Sequence, residues 1–246
     1  MSFNFQPLGD SALRIQVGDR IDPSVHQRVR VLCRQLENAK IPGVVEWIPT
    51  YCAVTVMYHP HQIGYQTLCR YVKELREEPV EDAASTVEVI HLPVIYGGDW
   101  GPDLISVAEL NGLSMEEVIR IHSEKPYLVY MMGFVPGFPY LGGMSPKIAA
   151  SRLAEPRPRI PAGSVGIAGI QTGVYPLETP GGWRLIGHTP VPLYDPDRER
   201  PILLEAGQYV KFDPVDEEGY RFVCEQVKNG SYQTKKSVCL QEEVES

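Results

Sequence analysis

The stretch RIPAGSVGIAGIQTGVYPLETPGGWRLIGHTP, Arg159 to Pro190, decides how the chain folds. Its β-prone pieces SVGIAGI, GVYPL and WRLIG are short, and glycine or proline bounds each of them, the pattern of strands joined by tight turns. In WRLIG, Trp183 and Leu185 fall on one side and Arg184 and Ile186 on the other, and Pro180-Gly181-Gly182 is the turn that feeds the strand. The stretch lies within a longer one, Gly133 to Pro190, which holds 11 of the 22 glycines and 9 of the 22 prolines but only seven charged residues. So much punctuation between short strands implies a closed or strongly bent β-architecture. ILLEAGQYVKF, 202–212, adds a further strand.

Upstream the pattern changes. ALRIQV places Leu13, Ile15 and Val17 on one face, a half-buried strand. DPSVHQRVRVLCRQLEN then predicts a helix, with Asp22 as N-cap, Pro23 at the first helical position, and Val25, Val29, Leu32 and Leu36 at helical spacing. VVEWIP and CAVTVMY read as two strands joined near Thr50, HQIGYQTLCRYVKELREE as a second helix, and STVEVIHLPV as strand again. The order is β-α-β-β-α-β, the ferredoxin-like pattern. The charged, aperiodic REEPVEDAAS, 76–85, marks a domain boundary. A helical pair follows, its second member LSMEEVIRIHSE opening on a Ser114/Glu117 capping box. The expected organisation is α+β in two domains, 1–84 and 85–228, with a polar tail over 229–246.

The totals set limits. The 246 residues suffice for two compact cores. A net charge of −8 argues against nucleic acid, whose phosphates want a basic face. The five cysteines form no CxxC pair, so neither a disulfide framework nor a zinc site is expected. His59 and His61 stand two apart beside Pro60 but lack further ligands, and no metal is expected. The start lacks a signal peptide, and YLVYMMGFV, 127–135, is too short to span a bilayer. The expected home is the cytoplasm, with no membrane partner.

There is no P-loop, dinucleotide fingerprint, HExxH or GxSxG. Three constellations remain, and each has two readings. MMGFVPGFPYLGGM, 131–144, is either a binding loop presenting Phe134, Pro136, Phe138 and Tyr140, or a packed hairpin whose phenylalanines fill the core. In PRPRIPAGSVGIAGIQTGVYP, 156–176, Arg157 and Arg159 alternate with prolines and suit a carboxylate or phosphate, with Ser164, Gln171, Thr172 and Tyr175 as neutral donors. The other reading is a solvated edge strand whose charges discourage pairing. In TPGGWRLIGHTP, 179–190, His188 follows a strand that carries Trp183; it is either an acid, base or polariser, or a bystander in a tight turn.

GFVPGFPYLGGM, RPRIPAGSVGIAGIQTGVYPLETPGGWRLIGHTP, YGGDWGPDL, PLGDSALRI and IPGVVEWIPTYCAVTVMY resemble the KipI / 5-oxoprolinase B-subunit family, also called allophanate hydrolase subunit 1, over about residues 6–215. The resemblance implies a cyclophilin-like β-barrel for the second domain. It implies partners as well: the homologous C subunit of 5-oxoprolinase together with its A subunit. With these this chain would form an ATP-dependent 5-oxoprolinase opening 5-oxo-L-proline to L-glutamate, and it would be inactive alone. Phosphorylating the lactam oxygen would make a poor electrophile open, so ATP, with Mg, is implied here or on a partner. On this reading His188, Arg159 and Gln171 are catalytic. Arg157, Ser164, Thr172, Tyr175 and Trp183 bind substrate or nucleotide, and Phe134, Pro136, Phe138 and Tyr140 meet the partner. The family also implies a rival of another class, an inhibitor that docks on a sensor histidine kinase.

Overall fold

The computed structural model describes residues 3–75 and 86–240. The chain divides into two units, Met1–Ala83 and Ala84–Ser246. The boundary stretch 76–85 lies outside the described residues.

The first unit runs β1 (Asn4–Leu8), β2 (Ala12–Gln16), α1 (Pro23–Ala39), β3 (Val44–Pro49), β4 (Ala53–Tyr58) and α2 (Tyr65–Leu75). The strands form one antiparallel sheet in the order β1-β2-β4-β3. Asp22 caps α1 as expected, accepting from the Ser24 N–H at 2.9 Å and the Ser24 hydroxyl at 2.6 Å. Leu13, Ile15, Val54 and Val56 point from the sheet into a core completed by Val29, Leu32 and Leu36 of α1 and Leu68 and Val72 of α2. The unit is therefore β-β-α-β-β-α, which corrects the β-α-β-β-α-β expectation. Its fourth strand is Asn4–Leu8, and the stretch from Thr86 belongs to the second unit. β1 escapes pattern reading because it is an edge strand without an alternating apolar face and carries Pro7, which edges tolerate.

The second unit runs β5 (Thr86–Tyr96), α3 (Leu104–Asn111), α4 (Met115–Glu124), β6 (Tyr127–Met132), β7 (Pro139–Gly142), β8 (Arg157–Ile160), β9 (Ser164–Ala168), β10 (Gln171–Val174), β11 (Thr179–Gly181), β12 (Arg184–His188), β13 (Tyr209–Pro214), α5 (Glu217–Lys228) and β14 (Lys236–Leu240). Its main sheet has the order β10-β9-β12-β5-β13-β6-β7, with β14 also pairing β5. β5 and β13 are parallel, and the other pairs are antiparallel. The two ends of this sheet come together: the Pro139 carbonyl oxygen of β7 lies 3.5 Å from where a Cβ on Gly173 of β10 would sit. The sheet is thus a nearly closed barrel, which removes its edges. Leu92, Val94, Val129, Val165, Ile167, Ile186, Val210 and Phe212 fill it, and Val107 of α3 and Val118 of α4 join the same core. β8 and β11 form a separate two-stranded sheet. The tail expected over 229–246 is not simply a tail, because Lys236–Leu240 pairs with the first half of β5.

Candidate functional site

β12 ends on His188, whose ring is half-buried. Its Nε2 lies 2.7 Å from the Ala162 carbonyl oxygen. A carbonyl can only accept, so Nε2 carries the proton and Nδ1 accepts from the Tyr220 hydroxyl at 2.9 Å. Trp100 packs against this imidazole at 5.1 Å between centroids, and Tyr220 against Trp100 at 4.8 Å. Burial lowers the pKa of His188 from its ordinary value, the Ala162 carbonyl opposing. The histidine is held neutral, in one tautomer, with both nitrogens engaged. Gly163 makes room for it: φ is +86°, and a Cβ there would stand 2.2 Å from the Thr189 carbonyl oxygen and 2.7 Å from Nε2.

The two arginines of β8 do not converge on one anion. Arg157 Nη2 donates to Asp103 Oδ1 at 2.8 Å, while Asp103 Oδ2 accepts the Leu185 N–H at 2.7 Å. Asp103 is 8% exposed, so this carboxylate ties the start of α3 to β8 and β12 from inside. Arg157 Nη1 is buried without a partner. Arg159 is exposed, and its Nε and Nη2 both donate to one oxygen of Glu178, at 3.0 and 2.7 Å.

Several expected ligand-binding residues are core residues instead. Thr172 is fully buried; its hydroxyl donates to the Gly166 carbonyl oxygen at 3.1 Å and so accepts from His122 Nε2 at 2.7 Å. His122 Nδ1 in turn accepts from the Tyr96 hydroxyl at 2.8 Å. The three side chains form an ordered relay with no capacity left for a ligand. Burial pushes the His122 pKa down to about 3, and its ring stacks on Phe212 at 4.7 Å. Ser164 is 2% exposed, and its carbonyl accepts the Tyr175 N–H at 2.9 Å. Tyr175 and Trp183 pack edge-on with Phe138, at 5.6 and 5.7 Å, in a cluster that includes Ile160 and Leu185. Burial raises the Tyr175 pKa. Gln171 sits half-buried at the start of β10.

The loop between β6 and β7 combines both of its readings. The Phe138 N–H donates to the Val135 carbonyl at 3.0 Å across Pro136-Gly137, and Gly137 has φ +79°, the geometry a Pro-Gly turn supplies. Phe138 turns into the aromatic cluster, with Tyr140 half-buried beside it at 5.5 Å. Phe134 is 94% exposed, and Pro136 is exposed next to it. Of the four residues, only these two are exposed.

Arg157 and Arg159 each hold a carboxylate already, and among the described residues no three His, Cys, Asp or Glu side chains are grouped to hold a cation. Sequence reasoning missed Asp103, Glu178, Trp100 and Tyr220. Asp103 and Trp100 both stand in the YGGDWGPDL stretch, but nothing local says that they meet residues about 55 and 90 positions away. Tyr220 lies beyond the stretch that carried the resemblance.

The chain matches, over residues 3–204, the family model described as the carboxyltransferase domain, subdomain C and D. It is 46% identical over 228 residues to the B subunit of 5-oxoprolinase from Bacillus subtilis (strain 168), covering 89% of this chain and 95% of the relative. With the B subunit of 5-oxoprolinase from Escherichia coli O157:H7 it shares 42% identity over 211 residues, covering 85% of this chain and 95% of the relative. Among solved structures it is similar to TTHA0988, with a TM-score of 0.73 and 38% identity over 83% of this chain. It spans 40% of that longer chain.

Proposed function

This chain belongs to the carboxyltransferase-domain family of subdomains C and D, and from that premise we propose that it is the B subunit of a 5-oxoprolinase. The observation that carries the proposal is the 46% identity to a relative of that name, matched along 95% of the relative's length. In this reading the reaction opens 5-oxo-L-proline to L-glutamate at the expense of ATP, together with the A and C subunits. The chain is inactive alone. The nucleotide and its magnesium sit on a partner, since Arg157 is already committed to the buried Asp103.

The contribution of this chain is a preorganised rim. His188 is a neutral imidazole with its nitrogens bonded to the Ala162 carbonyl and the Tyr220 hydroxyl, so it positions the rim and reaches a substrate by exchanging one of those bonds, without supplying a standing charge. Arg159, exposed and linked only to Glu178, is the cation that can exchange its partner for a substrate carboxylate. Phe134 at the tip of the Pro-Gly turn is the anchor for the C subunit, as an exposed aromatic on a fixed turn loses little freedom on docking.

The test is glutamate release from 5-oxoproline and ATP, using this chain with and without the candidate A and C subunits. Turnover only in the full mixture is the expected result. A folded, complete mixture without turnover would remove the oxoprolinase reading and leave the Phe134 turn as a docking element for another protein.

A further inference from the structure

Strand β14 lies along the first half of β5, and among the described residues no strand pairs its other edge. The His91 N–H donates to the Lys235 carbonyl at 3.0 Å, and alternation along the antiparallel pair then turns the backbone groups of Ser237 and Cys239 toward β5. Those of Lys236 and Val238 point the other way, to the open side. The side chains alternate too: Ser237 and Cys239 are half-buried, whereas Val238 is 69% and Leu240 46% exposed. A strand edge with an exposed valine and leucine at its centre is a template for pairing with another strand.

The sequence that carries this edge is Lys235-Lys236-Ser237-Val238-Cys239-Leu240-Gln241-Glu242-Glu243, and its charge is antisymmetric about Cys239. Laid opposite a reversed copy with Cys239 against Cys239, Val238 meets Leu240, Ser237 meets Gln241, Lys236 meets Glu242 and Lys235 meets Glu243. Each apolar or opposite-charge pair is favourable across antiparallel strands. Centring the pairing on Val238 instead sets Lys236 against Leu240 and Lys235 against Gln241, and both ion pairs are lost. In-register parallel pairing sets lysine on lysine and glutamate on glutamate.

The simplest alternative is that the lysines only blunt the edge. Lys236 Nζ meets Glu88 at 3.0 Å and Lys235 Nζ lies 3.7 Å from Asp213, which ties both to their own sheet. Both side chains nevertheless stay at least half exposed, and an ammonium offers several donors, so a second carboxylate can join. Blunting also accounts neither for the apolar centre nor for the acidic residues beyond it.

We propose that β14 is a self-recognition strand, through which two copies of the chain pair antiparallel about a twofold axis at Cys239. Such a contact is isologous, so one patch serves both copies, and the added strand extends each sheet into the other. One strand from each copy buries little area, so the dimer is weak and concentration-dependent.

The test is sedimentation equilibrium of the full-length chain alone, from low-micromolar to near-millimolar concentration. A monomer–dimer equilibrium is expected, which Val238→Lys weakens by about tenfold or more. Lys236→Glu and Glu242→Lys each set like charges together at both ends of their own dimer and weaken it severalfold. A mixture of these two variants restores both ion pairs and dimerises as the parent chain does. Should Lys236→Glu fail to fold by thermal melting, Lys235→Glu mixed with Glu243→Lys takes its place. Oxidation by copper phenanthroline should link two chains through Cys239, because opposed residues of a non-hydrogen-bonded pair stand about 4.5 Å apart at Cα, within disulfide reach. A chain that stays monomeric at every concentration overturns the proposal. So does a dimer that Val238→Lys leaves intact, a pair of charge variants that do not rescue each other, or cross-links through other cysteines only. No turnover is measured, so the outcome stands apart from the oxoprolinase assay.

Discussion

At the scale of single residues, His122 belongs to the core of the second unit. His122, fully buried, donates to Thr172 and accepts from Tyr96, and so stays neutral until about pH 3. In the unfolded chain it takes a proton near its ordinary value of 6.5. The depressed folded pKa means that the unfolded state binds more protons below that value. Its contribution is complete above about pH 6.5 and falls by about 1.4 kcal/mol per pH unit as pH drops toward 3. The urea midpoint should therefore be lower at pH 5 than at pH 7.5, and His122→Gln should flatten that difference while lowering both values. Arg159 supplies the contrasting case. Its ion pair with Glu178 is exposed on both sides, and such pairs contribute little to stability. Arg159→Ala should leave the urea midpoint nearly unchanged yet abolish turnover of the assembled enzyme. Intact turnover would take the residue out of the site.

At the scale of elements, Asp103 shows why the rim holds its shape. One buried carboxylate serves the Leu185 N–H of β12 and the guanidinium of Arg157 on β8, and its own N–H donates to the Leu185 carbonyl at 2.9 Å. Asp103→Ala would leave a buried N–H without an acceptor and a half-buried guanidinium without a counter-charge, a loss of about 3 kcal/mol. Asp103→Asn keeps an acceptor for Leu185 and should cost less; equal urea midpoints for the two variants would refute this division of roles. Helices were legible at this scale because their signals are local. Asp22 before Pro23 and Ser114 with Glu117 cap α1 and α4 just where the sequence places them. The burial of Thr172, Tyr175 and Trp183 was not legible. In a short strand of a closing barrel, which alternate residue faces inward depends on register with strands far away in sequence.

At the scale of the whole molecule, the two cores and the β-rich character of the second were readable from composition and periodicity. The assignment of the strand beginning at Thr86 was not, because a strand's own pattern does not say which sheet it joins. The same non-locality governs the end of the chain. Its low apolar content reads as a tail, yet Lys236–Leu240 is registered along β5 from Ile90 to Thr86. Lys236 Nζ meets Glu88 at 3.0 Å, and the Ser237 hydroxyl meets His91 Nε2 at 3.0 Å. A chain ending at Thr234 would keep Tyr232 against the barrel core but lose this strand. The first half of β5 would then be an open edge, its unpaired N–H groups available to solvent or to another chain. Amide exchange should accelerate over residues 86–90 of the shortened protein, and its solubility should fall. Protection in β2 and β4 should not change, since the first unit has its own core and takes no residue from β14. Unaltered exchange at Val89 and Ile90 would mean that their pairing with β13 alone protects them, and would return the tail to the role its composition suggests.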